Sequence, residues 1–232
     1  MPLGDWGPVR VKICCVQSRG EAELAARLGA DAIGLVGPMP SGMGVIPLAR
    51  IAEIARAAPP DLATFLLTSE TSAAGILAQQ RRVGASALQL VDRPRPGTHA
   101  ELRAALPGVR LVQVVHVTGP ESLEEAREHL ADGVDALLLD SGNPQAAVKE
   151  LGGTGRVHDW ELSRQIRDEA AEEGVPVFLA GGLGPDNVAA AVAAVRPYGV
   201  DVCSRLRDNQ AGALSAETTA RFIAAARGGG AA

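Results

Sequence analysis

The chain has 232 residues, 47% of them hydrophobic, and a formal net charge of −5 at pH 7. No basic block suggests a nucleic-acid surface, no segment reaches the roughly 18 apolar residues of a membrane span, and the N-terminus lacks the apolar core of a signal peptide. We therefore expect a soluble, cytoplasmic monomer or homodimer that binds small molecules and neither nucleic acid nor membrane.

Short apolar runs alternate with amphipathic segments along the chain. The predicted strands are residues 9–14, 32–36, 63–68, 87–91, 110–117, 136–140, 176–182 and 200–204. The predicted helices are residues 19–28, 47–57, 71–82, 98–105, 121–131, 160–173, 185–195 and 215–226. Eight such units, with only six aromatic residues in the chain, favour an α/β fold, a single (β/α)8 TIM barrel. We expect one domain over 1–232, with 1–8 as an N-terminal extension and 227–232 as a frayed tail.

A repeated pattern of glycine followed by a strand precedes every second strand. It is read in GADAIGLV (29–36), GASALQLV (84–91), GVDALLLD (133–140) and YGVDVCS (198–204). Glycine past a helix end suits a left-handed C-cap, and the recurrence favours a barrel built of quarter units. A generic helix stop would explain any one of these glycines equally well.

Functional residues of such barrels lie at the C-terminal ends of the strands. Cys14 ends the first strand, where it is either a small buried core residue or a nucleophile or base. Asp140 follows three leucines at the end of the sixth strand, where it is either a helix cap or a general acid/base. The residue types alone leave both pairs of alternatives open.

A glycine-rich turn follows the seventh strand, in the stretch AGGLGPDNV (180–188). Free backbone N–H groups at such a turn bind phosphate oxygens, and the loops after strands 7 and 8 form the usual phosphate site of these barrels. Tight turns also need glycine for its backbone freedom alone. Its position in the strand order favours the phosphate site.

The three cysteines, Cys14, Cys15 and Cys203, cannot all pair within the chain, and adjacent cysteines rarely bridge each other. We therefore do not expect a disulfide scaffold. Closure of the barrel would bring the first and last strands together and place Cys14 or Cys15 near Cys203, and His116 and His158 would complete such a metal site. Because C-x-x-C spacing is absent, we expect no metal site.

Several motifs together resemble the phosphoribosylanthranilate isomerase family of tryptophan biosynthesis. They are VKIC (11–14), GADAIGLV (29–36), LLLD (137–140), GGTGRVHDW (152–160), LAGGLGPDNV (179–188) and VDVCS (200–204). The resemblance implies a TIM-barrel isomerase that catalyses an Amadori rearrangement of a small phosphorylated sugar-amine. It implies neither a cofactor nor a metal.

The resemblance also implies residue roles. Cys14 would be the catalytic base that removes the proton from C2 of the sugar, and Asp140 the acid that protonates the ring oxygen. Asp201 would lie near the anthranilate amine. By motif position, the phosphate site comprises Gly181, Gly182, Cys203 and Ser204, and the loop 152–160, with Gly153, Thr154 and Gly155, would cover the site.

The chain departs from the family pattern mainly around the site. Met43 stands where the family has an arginine for the anthranilate carboxylate, followed there by a β-branched or aromatic residue. Val91 replaces a histidine, Gln113 replaces a lysine, and Arg205 replaces the glycine after strand 8. Cys15 also replaces a glycine. We expect Met43, Gln113 and Arg205 to contact the substrate with Asp201, and Arg205 or Arg207 to supply a replacement cation.

Three functions follow as expectations. The first is phosphoribosylanthranilate isomerase itself, with a rebuilt carboxylate site. The second is a diverged isomerase acting on another phosphorylated sugar-amine. The third is a non-catalytic barrel that binds a phosphorylated metabolite, which would show tight binding without turnover.

Overall fold

The computed structural model describes residues 7–40, 42–142, 158–208 and 212–228. The strands are β1 (Arg10–Ile13), β2 (Ala32–Val36), β3 (Ala63–Thr68), β4 (Ala87–Leu90), β5 (Arg110–His116), β6 (Ala136–Asp140), β7 (Val177–Leu179) and β8 (Gly199–Val202). The helices are α1 (Arg19–Arg27), α2 (Leu48–Ala57), α3 (Ala73–Val83), α4 (Thr98–Ala105), α5 (Glu121–Ala131), α6 (Trp160–Glu172), α7 (Val188–Val195) and α8 (Ala216–Ala226). A short 3-10 helix, Ser204–Leu206, follows β8.

The strands form one closed parallel barrel in chain order, with β1 paired to β8. The predicted (β/α)8 barrel is therefore confirmed. The predicted strand 7 (176–182) was too long, because the chain leaves the sheet where Gly181 and Gly182 adopt φ values of +81° and +62°. Among the described residues, no helix is both long and apolar enough to span a membrane.

Successive side chains of each strand point to opposite faces of the barrel, which produces one core beneath the helices and a second inside the barrel. Ile13, Leu35 and Leu66 point outward into the core beneath the helices. Cys14 and Phe65 point inward into the barrel. Since a one-residue shift would reverse these directions, the register of β1 determines that Cys14 faces the barrel interior.

The glycine repeat is confirmed at three of its four positions. Gly29, Gly84 and Gly133 all have positive φ after a helix. The fourth is wrong: Gly199 begins β8, and Arg196 takes the left-handed conformation with φ +51°. Gly199 is required for packing, because a Cβ there would lie 2.6 Å from Cε1 of Phe178.

A disulfide joins Cys15 to Cys203, with their Cα atoms 5.9 Å apart, across the contact between β1 and β8. The cysteine pattern predicted no disulfide scaffold, and this single bond, which pairs two of the three cysteines, was not expected from it. Barrel closure aligns the two strand ends, as the 2.7 Å hydrogen bond from Cys14 N–H to Val202 C=O shows. Cys14 remains a free, buried thiol.

Reduction of this disulfide should lower the free energy of unfolding by about 2–4 kcal/mol, because a loop closed across 188 residues constrains the unfolded chain. The measurement is urea unfolding with and without a reductant. Cys203→Ser should match the reduced wild type and should not respond to the reductant. Equal stability of the oxidised and reduced wild type would contradict the prediction.

Candidate active site

One cavity opens at the C-terminal ends of the strands and gathers most of the residues predicted for the site. Eight of them line it: Cys14, Met43, Asp140, Gly181, Gly182, Asp201, Cys203 and Ser204. Cys14 and Asp140 enter from β1 and β6, which β7 and β8 separate in the barrel. A substrate in the cavity would therefore meet the thiol and the carboxyl from different sides.

Cys14 is held at the base of the cavity by close contacts. A Cβ at Gly34, on the neighbouring β2, would lie 2.7 Å from its Sγ, so glycine is required there. Burial, and secondly the charge of Asp201, raise the pKa of the Cys14 thiol to about 12, while the Lys12 ammonium opposes this shift. The thiol is therefore protonated at neutral pH.

Lys12 and Asp201 form an ion pair inside the barrel, with Nζ and Oδ2 2.9 Å apart and side chains only 0% and 7% exposed. Lys12 Nζ also lies 5.3 Å from the centre of the Phe65 ring. Burial alone would lower the pKa of Lys12, but Asp201 and Cys14 raise it above its ordinary value. Lys12 is thus a charged group placed between the thiol and the carboxylate of the site.

Asp140 is partly exposed at the end of β6 and accepts a 2.7 Å hydrogen bond from the Ser141 N–H. His158 lies nearby: a Cβ at Gly181 would be 2.8 Å from its Nδ1. Burial lowers the pKa of His158, although the Asp140 charge partly offsets this effect. Asp140 therefore combines access to the cavity with a fixed carboxylate orientation.

The turn after β7 and the 3-10 helix after β8 face the cavity together. The Asn187 side chain shapes the turn by accepting a 2.8 Å hydrogen bond from Gly184 N–H and donating one to Gly182 C=O. Among the described residues, no acceptor is found for the N–H groups of Gly182 and Ser204. These donors at adjoining chain turns suit a phosphate group.

The loop after β2 forms an apolar wall of the cavity with Met39 and Met43. Gly44 lies against the disulfide, because a Cβ at this position would be 2.5 Å from the Cβ of Cys15. Cys15 itself has a φ of +60°, a conformation that favours the glycine of the family pattern. The departures at Cys15 and in the β2 loop are therefore in direct contact.

The predicted replacement cations do not line this cavity. Arg205 packs over Gly184 and forms a 3.3 Å ion pair with Asp186. Arg207, with a side chain 1% exposed, is bound to the Glu21 carboxylate and to the Cys15 carbonyl. Both guanidinium groups therefore hold local structure, and the cavity-lining residues that the structure describes include neither lysine nor arginine.

Gln113 was also misplaced by the sequence prediction. Its side chain is buried and donates to the carbonyls of Leu90, Asp92 and Val114, while its Oε1 lies 3.1 Å from His99 Nε2. Neighbouring Val112 and Val114 face the barrel interior, so Gln113 points outward, away from the cavity. It therefore does not contact a substrate bound there.

Three residues near the cavity were not predicted for the reaction, although His158 was considered as a metal ligand. Gln89 lines the cavity and has a buried Oε1 without a hydrogen-bond partner among the described residues. Lys12 and His158 contribute charge and packing. Gln89 and Lys12 each lie two residues from an inward-facing residue, Ala87 and Cys14 respectively. The alternation in the sequence therefore predicts that both point into the barrel. The predicted cover residues Gly153, Thr154 and Gly155 lie outside the described residues.

Comparison with known proteins identifies the family. The model of the N-(5'-phosphoribosyl)anthranilate isomerase family matches residues 11–224. The isomerase of Haloferax volcanii is 40% identical over 94% of this chain and 93% of its own length. The crystal structure of the Thermotoga maritima isomerase is 28% identical, with a TM-score of 0.78 over 95% of this chain and 99% of that one.

A further solved isomerase is in complex with reduced 1-(o-carboxyphenylamino)-1-deoxyribulose 5-phosphate. It is 26% identical, with a TM-score of 0.75, over 95% of this chain and 99% of that one. The match thus extends over the whole barrel and every strand end that forms the cavity. The chain belongs to the phosphoribosylanthranilate isomerase family.

Proposed function

We propose that this chain isomerises N-(5-phosphoribosyl)anthranilate to 1-(2-carboxyphenylamino)-1-deoxyribulose 5-phosphate, with Cys14 as base and Asp140 as acid. The main observation in support is that both residues line one cavity, together with the two turns that we propose bind the phosphate. The family membership supports the reaction, and the solved relative bound to a reduced form of this product supports the substrate class.

The reaction requires two proton transfers. Asp140 in its acid form would protonate the ring oxygen as the bond from that oxygen to C1 breaks and the amine nitrogen forms a double bond to C1. The Cys14 thiolate would then remove the C2 proton, so that the C2–H electron pair forms a C1–C2 double bond while the pair of the C1–N double bond returns to the nitrogen. Tautomerisation of the resulting enol gives the aminoketose, so no electrons enter or leave the molecule.

We propose that Lys12 and Asp201 position these groups. Asp201 lines the cavity and forms an ion pair with Lys12 through Oδ2. Its Oδ1 has no hydrogen-bond partner among the described residues and would accept a hydrogen bond from the substrate amine. The Lys12 ammonium favours the thiolate form of Cys14. The phosphate would bind the N–H groups around Gly182 and Ser204.

The apolar wall at Met39 and Met43 favours a second candidate, an isomerase for a phosphorylated sugar-amine without the carboxylate. The absence of a cation among the described lining residues leaves that carboxylate without a strong partner.

Turnover of N-(5-phosphoribosyl)anthranilate and of its aniline analogue distinguishes the two candidates. We expect turnover of both, with kcat/KM values within about tenfold of each other. A charged contact to the carboxylate would favour the anthranilate substrate by about 1.4 kcal/mol or more, and that contact is missing here. Met43→Arg should then favour the anthranilate substrate, and Met43→Leu is the control of matched size. Turnover of the aniline compound alone would establish the second candidate, and turnover of neither would refute the proposed function.

A further inference from the structure

Two histidines and an aspartate meet in the helical layer, away from the cavity. His99 lies in the first turn of α4, whereas His129 lies in the last turn of α5 and Asp132 directly follows that helix. One ligand atom of each lies within 4.8 Å of the others. None of the three is used by the proposed reaction.

The hydrogen bonds of Gln113 determine the tautomer of His99. The Gln113 amide nitrogen lies within hydrogen-bond distance of three carbonyl oxygens, to which its two hydrogens donate, so Oε1 is the atom that faces His99 Nε2, at 3.1 Å. An oxygen cannot donate, so His99 Nε2 must carry the proton. In a neutral imidazole, the lone pair is then on Nδ1.

That Nδ1 lies 3.1 Å from Oδ2 of Asp132, so a lone pair faces a carboxylate oxygen. Such a contact is stable only when a cation lies between the two atoms, either a proton or a metal ion. Zinc bonds of about 2.0–2.1 Å in tetrahedral geometry would separate two ligand atoms by about 3.3 Å. This is close to the 3.1 Å between His99 Nδ1 and Asp132 Oδ2, and a ring nitrogen of His129 lies within 4.8 Å of a ligand atom of each of these two residues.

His129 supplies an independent observation. Its side chain is 3% exposed, and neither ring nitrogen has a hydrogen-bond partner among the described residues. The nearest carboxylate oxygen, Oε1 of Glu125, lies 3.7 Å from Nε2, beyond hydrogen-bond distance. A buried imidazole without a partner is costly, and a metal–nitrogen bond would remove that cost.

We propose that His99, His129 and Asp132 bind one divalent transition-metal ion, with zinc the best match to two imidazoles and a carboxylate. The Asp132 side chain is 54% exposed, which provides an entry path and room for a water ligand. Gln113 acts from outside the ligand set by orienting His99, as metal-site partners commonly do. The ion would join α4 to α5 and stabilise the barrel wall.

The test is titration of the metal-free, oxidised full chain with Zn²⁺, followed by calorimetry, thermal unfolding and the visible spectrum of bound Co²⁺. We expect one ion per chain, a Tm increase of about 5 °C at saturation, and no thiolate-to-cobalt charge-transfer band. Asp132→Ala removes an exposed ligand with little risk to folding and should weaken binding more than about tenfold. His129→Phe, which fills the buried volume, should do the same.

The control for Asp132→Ala is Asp61→Ala, which removes an equal charge from an exposed residue away from the cluster and should bind as the wild type does. Wild-type-like binding by Asp132→Ala would overturn the proposal, as would a thiolate band, because the ion would then sit at Cys14. Failure of the wild type to bind one equivalent would also overturn it. Isomerase activity does not enter the test, so its outcome is independent of the proposed function.

Discussion

Replacing Cys14 by serine, or Asp140 by asparagine, is expected to lower kcat by about 10²–10⁴-fold for each change, the usual contribution of one positioned acid or base. Serine keeps the size of Cys14 but is a far weaker acid, so it cannot form the anionic base. Asparagine keeps the shape of Asp140 but has no acidic proton to give. The measurement is the loss of substrate fluorescence at saturating substrate.

The pH profile provides a second readout of Cys14. Because burial raises the pKa of its thiol to about 12, the thiolate fraction grows with every unit of pH through the neutral range. Because the wild type also needs Asp140 in its acid form, the effect of Cys14 is isolated in Asp140→Asn. The residual kcat/KM of that variant should rise with pH up to the alkaline limit of folding, by as much as tenfold per unit.

Controls separate these effects from damage to the fold. Asp61→Asn, an exposed carboxyl change, should keep wild-type activity, and both site variants should keep the wild-type circular dichroism spectrum. Folded variants that retain more than a tenth of wild-type kcat would contradict the assigned roles.

Lys12→Met should produce the largest loss of stability, about 3–5 kcal/mol, because it leaves the Asp201 carboxylate buried without its partner. Methionine fills a similar volume, so the loss reports charge rather than a cavity. Asp201→Asn added to Lys12→Met should recover most of the loss, since no buried charge then remains. Urea unfolding of the wild type, both single variants and the double variant measures this coupling.

The pH dependence of Lys12→Met follows from Asp201. Burial already raises the pKa of Asp201 above its ordinary value of 3.8, and removal of the ammonium raises it further. When a carboxyl has a raised pKa in the folded protein, the folded state becomes less stable as pH rises above the ordinary pKa, because the unfolded chain releases the proton more easily. The stability loss of Lys12→Met should thus be large at pH 8 and smaller near pH 5. A pH-independent loss would contradict this explanation.

The alternation of apolar runs and helical segments was sufficient to predict the barrel, because each strand has its own local signal. Strand ends were less predictable: β7 stops at Leu179 because of the glycine conformations that follow. The side of the strand on which Gln113 points was also missed. Motif matching assigned it to a family position, whereas the alternation between Val112 and Val114 indicates the outer face.

Distant contacts explain the remaining differences at the site. The Cys15–Cys203 bond depends on closure of a barrel across 188 residues, which no local pattern measures. Arg205 pairs with Asp186 and Arg207 pairs with Glu21, so neither guanidinium points into the cavity. The sequence shows that both arginines follow β8, but it does not show these partners.

The contact between Gly44 and Cys15 couples the β2 loop to the end of β1. A Cβ at position 44 would lie 2.5 Å from the Cβ of Cys15, so this backbone admits a side chain at only one of the two positions. Restoring the family arrangement, with glycine at position 15 and a side chain at position 44, therefore requires both changes together and removes the disulfide to Cys203.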